Sequence, residues 1–363
     1  MAPAPRDPAF FALTTAAPRR AGDQAERLER AGWDGMAVVD SQNLSGDCYV
    51  ALTAAASRTT TLGLATAVTN PVTRHPAVTA SAIASLQALS NGRATLGIGR
   101  GDSSLAHLGR APASVAILDA YVDVLQRYLR GESVPFEDLA FHERLAPGVD
   151  SLGLADTAHA SRIAWLPDSR PKVEVEVAAT GPRVIALAAC KADRILFALG
   201  AQPDRLAWGI EVAREARKQA GLDPDALRIG SYVNMVCHPD VGVARELASG
   251  GLTTFARFQV MHGRVAGPIA DAGRRVLEDL HDRYDMKHHT RAGSPQTLSL
   301  TPEFIDEVAI VGRPAQCVDR LRALRALGVE RFIVIGPSAG ADRDESIRAE
   351  RLLTAEVLPA FRA

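Results

Sequence analysis

The chain reads as an α/β protein, a (β/α)8 TIM barrel with insertions after strands four and seven. Three observations carry that reading. Strand and helix patterns alternate along the chain, eight of each, as in a parallel sheet joined by crossover helices. Crossovers of this number and regularity favour a closed barrel over an open, doubly wound sheet. The length of 363 residues exceeds one ordinary open domain but fits a barrel with insertions.

The strands, short apolar runs, fall at Phe10–Thr14, Gly35–Asp40, Leu62–Val68, Ala94–Ile98, Val173–Ala178, Arg194–Ala198, Ile229–Val236 and Phe332–Ile335. The helical periods fall at Asp23–Ala31, Asp47–Arg58, Ala77–Leu89, Ser114–Leu129, Pro182–Ala189, Pro203–Ala220, Val241–Gln259 and Pro314–Leu327. The third unit is the most explicit. Gly63–Val68 is rich in small and β-branched residues, as a strand buried on both faces requires. Asn70-Pro71 ends it, because Pro has no N–H for the ladder. Ala77–Leu89 follows as a helix, stopped by Asn91-Gly92 in the left-handed region. Residues 131–172, with Pro135, Pro147, Pro167 and Pro171, and residues 261–303 have no clear period. After barrel strands, such stretches cover the active-site mouth or remain surface excursions and dimer contacts. No repeat or low-complexity linker divides the chain, so residues 1–363 are read as one domain.

Composition excludes several classes. With 41 basic and 42 acidic residues and a net charge of −1, there is no electrostatic case for nucleic acid or an anionic membrane. No apolar run spans a bilayer and the N-terminus lacks a secretory pattern, so a cytoplasmic protein is expected. Cys48, Cys190, Cys237 and Cys317 are scattered, without metal-ligand spacing, and read as buried reduced thiols. No metal is expected. No dinucleotide fingerprint, nucleophile elbow or HExxH motif occurs, and GIGRGD lacks the Lys-Ser/Thr of a P-loop.

The segment Leu62–Asp102, with LGLATAVTNPVTRHPAV and then LSNGRATLGIGRGD, resembles the luciferase-like monooxygenase superfamily. It is most similar to the branch of coenzyme F420-dependent enzymes typified by methylenetetrahydromethanopterin reductase. GWDGMAVVDSQ, VEVAATGPR and AIVGRPAQCVDRLRALRALGV extend the resemblance along the chain. It implies an oxidoreductase that moves a hydride between coenzyme F420 and a small organic substrate, with the coenzyme at the C-terminal mouth. The first alternative is an FMN-dependent monooxygenase using dioxygen. The second is a barrel that binds flavin or another ligand without catalysis. Sequence separates the two enzymes poorly, because both cofactors use the same ring scaffold.

The resemblance assigns residues as follows. A non-prolyl cis peptide falls at Ala67-Val68, where small Ala67 lets the ring approach, and Asn70 contacts the coenzyme. Asp40 faces the ring's polar edge. Ser41 stands where sugar-phosphate dehydrogenases of the branch carry His, which removes an imidazole acid or base. Gln42 and Asn43 are candidate substrate contacts. Arg100 and Gly101 meet the cofactor, and Asp102 is either a proton acceptor or a cap for the segment that follows. Thr180, Gly181 and Pro182 open a helix whose N-terminus is an anion site, although Pro182 is also simply a good starter. His75 is either structural or lines the ring pocket. His262, His288 and His289, with Lys287 and Arg291, form a substrate-facing basic lid, a surface cluster or a metal site. A homodimer is also expected, because helix Asp47–Arg58 is apolar and small on nearly all faces and should be buried.

Overall fold

The computed structural model describes residues 7–139, 146–166 and 171–362; Pro167 of the first aperiodic stretch lies outside them. Eight parallel strands close a barrel. They are β1 Ala9–Thr14, β2 Gly35–Val38, β3 Gly63–Thr66, β4 Ala94–Ile98, β5 Glu174–Ala179, β6 Arg194–Phe197, β7 Ile229–Cys237 and β8 Val329–Ile335. Each pairs with the next, and β8 returns to β1 through Phe10↔Phe332 and its neighbours. The crossover helices include α1 Pro18–Arg30, α2 Cys48–Ala56, α3 Pro76–Leu89, α4 Val115–Leu129, α5 Pro182–Lys191, α6 Pro203–Gln219 and α7 Val241–Gln259. Pro occupies the first turn of α1, α3, α5 and α6, where its missing N–H costs no intrahelical bond. The main core lies between strands and helices.

The inside of the barrel is divided along its axis. Near the N-terminal ends, Arg194 and Arg331 pair with Glu174 and Glu176, and the Arg331 guanidinium stacks on Phe11, 4.5 Å from its centroid. Gly35 and Gly63 give way to the Phe11 ring, which a Cβ at either position would strike. Toward the C-terminal ends the lining becomes small, with Ala37, Ala65, Ala67, Ala178 and Ala198 beside Val68, Tyr232 and Ile335. Charge packs the floor, and small apolar surface faces the mouth.

The expected alternation fails in one place. Between β7 and β8 the chain makes α7, the helices Asp271–Arg283 and Pro302–Val308, a short strand Ile310–Gly312 on β7, and the helix Pro314–Ala326. The helix after β8 is Arg343–Leu352, for which the sequence shows no clear helical period. Only Ala349 of its ten residues is buried, so it has almost no apolar stripe to read. The first aperiodic stretch forms a two-stranded antiparallel pair, Val134–Pro135 with Ala160–Ser161.

Candidate active site

The loops after β2, β3 and β4 meet at the C-terminal mouth. Asp40, just beyond β2, is buried, and its Oδ2 accepts from Arg74 Nη1 at 2.5 Å. Its Oδ1 is also buried and has no hydrogen-bond partner among protein N and O atoms. The Cys48 thiol lies beside it, and burial together with the Asp40 charge pushes that thiol's pKa up. Arg74 also reaches Asp47 Oδ2 at 2.7 Å, while Asp47 Oδ1 caps α2 through Tyr49 N and Val50 N. A carboxylate oxygen kept dry and unpaired is costly unless something supplies a donor. Ser41 is half-buried next to Asp40. Gln42 and Asn43 are tied to the loop after β4, donating to the carbonyls of Ser104 and His107.

The Ala67-Val68 peptide is cis, as the resemblance implied. Asn70 is fully buried, but its side chain is occupied. Its Oδ1 accepts from Val72 N and Thr73 N, and its Nδ2 donates to Ser104 Oγ at 3.1 Å. It therefore shapes the loop by bonds within the protein. Gly101 has φ +82°, and a Cβ there would lie 2.6 Å from that of Asn70, so the close pairing of these loops requires glycine. His75 caps α3, its Nδ1 accepting from Ala77 N at 3.3 Å.

The loop after β4 is held from across the mouth by three contacts. Asp102 opens the short helix Asp102–Ala106, and both its carboxylate oxygens are bound by the Arg257 guanidinium from the end of α7. Ser103 Oγ pairs with His289 Nε2 at 3.0 Å, and Arg100 Nη1 with His262 Nε2 at 3.2 Å. His289 Nδ1 in turn meets Tyr284 Oη at 2.8 Å, and Tyr284 meets Thr254 Oγ1 at 3.1 Å. Burial, then the nearby Arg257 charge, lowers the His289 pKa to about 4, so the imidazole is neutral at pH 7. Arg257 stacks over the Tyr284 ring at 4.5 Å. The second aperiodic stretch thus closes on the site through His262 and His289. His288 is exposed and pairs with Asp285 instead.

Thr180, Gly181 and Pro182 join β5 to α5. Gly181 is the N-cap, and no side chain caps the helix there, so its first amides face outward. Arg100 and Arg183 lie close enough that burial and then the Arg183 charge lower the Arg100 pKa. Two cations brought together near a helix N-terminus give this corner of the mouth a positive field. Among the described residues no group of three His, Cys, Asp or Glu is placed to hold a metal ion, and no helix is long and apolar enough to cross a membrane.

Arg74, Arg257, Tyr284 and Ser103 were not expected from sequence. Arg74 stands inside the TNPVTRHP motif, and its signal was the acid at the end of β2, since a buried Asp needs a counter-charge.

A model described as luciferase-like monooxygenase matches residues 5–331. The 5,10-methylenetetrahydromethanopterin reductase of Archaeoglobus fulgidus is 27% identical over 348 residues, 92% of this chain and 93% of that protein. The solved coenzyme F420-dependent tetrahydromethanopterin reductase from Methanopyrus kandleri superposes with a TM-score of 0.71 at 21% identity, covering 98% of this chain and 100% of the other. An F420-dependent secondary alcohol dehydrogenase, solved with an F420-acetone adduct, gives a TM-score of 0.70 at 17% identity, with the same coverage.

Proposed function

The chain belongs to the luciferase-like monooxygenase family, and from that premise we propose that it is an oxidoreductase passing a hydride between coenzyme F420 and a small organic substrate. The observation that carries the site is Asp40 at the end of β2, whose buried Oδ1 has no N–H or O–H donor from the protein and only the weak Cys48 thiol beside the carboxylate. A ring with an N–H on its polar edge supplies that donor. The barrel lining there is small, with Ala37, Ala65, Ala67 and Ala178. The residues therefore fit a deazaflavin, and an F420-dependent glucose-6-phosphate dehydrogenase, 34% identical over 47% of this chain, supports that choice over FMN.

When bound, the deazaflavin supplies a carbon centre that gives or takes a hydride, without the N5 that flavins use to activate dioxygen; the protein supplies the setting. Asp40 would accept from the ring's polar edge, Ala67, Val68, Arg100 and Gly101 would hold the ring, and Arg183, Thr180 and Gly181 with the start of α5 would hold an anionic tail. The segment carrying His262 and His289, locked down by Arg257, excludes water from the reacting centre. Asp102 has two readings, a general acid or base and a clamp for α7. Both its oxygens are held by Arg257, which favours the clamp and leaves the proton to substrate-held water or a side chain of the closing segment.

An FMN-dependent monooxygenase is the alternative. An oxygen electrode separates the two. Oxygen uptake with reduced FMN and the protein would replace the deazaflavin reading, and none beyond the protein-free rate is expected. The four cysteines are free, which suits the reducing cytoplasm. The protein also works as a homodimer. Leu44, Val50, Val72 and Val78 stand exposed on α2, the start of α3 and the loops nearby, apolar surface that a second copy would cover.

A further inference from the structure

We infer that Arg74 is a positioning residue for the coenzyme, holding one oxygen of Asp40 so that the other is presented as a fixed acceptor to the ring's N–H edge. The inference rests on the proposed deazaflavin site and adds to it a residue that does not itself touch the ring.

Arg74 is fixed at both ends. Its carbonyl accepts from Tyr121 Oη at 3.0 Å, and Tyr121 Oη shares a 2.6 Å hydrogen bond with Thr79 Oγ1. Its guanidinium lies 5.0 Å from the centroid of the Tyr49 ring and is forked between Asp40 and Asp47. Asp47 can be an anchor because it is itself immobilised, its other oxygen capping α2. The groups facing Asp40 are Arg74 from the loop after β3, Asp47, Cys48 and Tyr49 from the start of α2, and Tyr121 from α4. Arg74 is the one cation in that set. Burial opposes its charge, but the Asp40 carboxylate outweighs the opposition and the Arg74 pKa is raised. Burial raises the Tyr49 pKa, and burial with the Asp40 charge raises that of Cys48, so both stay neutral.

A carboxylate whose side chain is 1% exposed is stable only with a counter-charge or a full set of donors. Arg74 supplies the charge and one donor, and Oδ1 is left buried without an N–H or O–H donor from the protein, with the Cys48 thiol beside the carboxylate. Without Arg74 the carboxylate has no reason to keep that orientation.

The test is a double-variant cycle read by calorimetric titration with coenzyme F420, using the wild type, R74Q, R74K, D40N and D40N/R74Q. If Arg74 acts through Asp40, R74Q binds about 10- to 100-fold more weakly, the size of one charged hydrogen bond. R74K recovers most of that loss, and D40N/R74Q binds no more weakly than D40N alone. The inference is overturned if the two losses multiply in the double variant, or if Lys does no better than Gln. Should R74Q not fold, Asp47→Asn keeps the α2 cap and the buried pair and removes only the outer anchor. It should weaken binding by about two- to fivefold in the wild-type background, within the range of one weak exposed ion pair, and not at all beside D40N. A loss that persists beside D40N overturns the inference. A wild type that binds FMN and not F420 refutes the deazaflavin reading, and the same cycle is then read with FMN. A wild type that binds neither refutes both.

Discussion

Removing Arg257 tests how the mouth is held shut. The Arg257 and Asp102 side chains are 12% and 11% exposed, so the pair is nearly dry and both carboxylate oxygens are engaged. Arg257→Met keeps most of the bulk and the contact with the Tyr284 ring, but strands the Asp102 charge. Breaking a fully buried pair from one side costs ~3–5 kcal/mol. This one keeps slight access to water, so about 2–4 kcal/mol is expected. Asp102→Asn should cost less, because an amide tolerates losing the guanidinium. Guanidinium-chloride unfolding of wild type, R257M, D102N and the double variant then gives a coupling energy of roughly 1.5–3 kcal/mol. Limited proteolysis should cut residues 261–303 sooner in R257M. A coupling below about 0.5 kcal/mol, or unchanged proteolysis, would refute the clamp. Turnover separates the two roles of Asp102. As a clamp, D102N and R257M lose activity together and not additively. As the general acid or base, D102N alone loses ~10²–10⁴-fold while R257M stays near wild type.

Three further outcomes are expected. Asp40→Ala should weaken coenzyme binding by about 1.5–3 kcal/mol, and a titration indistinguishable from wild type would remove Asp40 from the site. His289, whose pKa is lowered from 6.5 to about 4 on folding, binds its proton more readily in the unfolded chain. Its contribution is therefore complete above about pH 6.5, shrinks as the pH falls and is lost below about pH 4, by roughly 2–3 kcal/mol in all. Denaturation series over that range should be steeper for wild type than for His289→Gln, and parallel curves would contradict the burial argument. Light scattering at micromolar concentration should give twice the chain mass, and Val50→Glu should shift it toward the monomer; a wild type that is only monomeric would rule the dimer out.

The parts legible in sequence are those whose cause is local. Pro182 after a strand marks a helix start wherever it occurs, and Pro76, Pro203 and Pro314 do likewise. The Ala67-Val68 peptide and Asp40 sit inside contiguous motifs. The failures come from structure made by distant partners. β8 begins at Val329, three residues before the expected Phe332, because Glu330 and Arg331 interrupt the apolar run. Arg331 nonetheless belongs to the strand, turning inward onto Glu176. Helix α1 begins at Pro18, ahead of the expected Asp23, across an Arg19-Arg20 pair that gave no apolar period. Arg74 and Arg257 find their acids 34 and 155 residues away, and such pairings leave no trace in spacing. The fold places the His262 and His289 segment over the loop after β4, and only that placement gives these histidines partners.

The most direct test of the deazaflavin assignment is a pair of calorimetric titrations of the purified protein, one with coenzyme F420 and one with FMN, under the same conditions. F420 should bind more tightly by about tenfold or more, equivalent to ~1.4 kcal/mol. FMN binding more tightly by the same margin would contradict it.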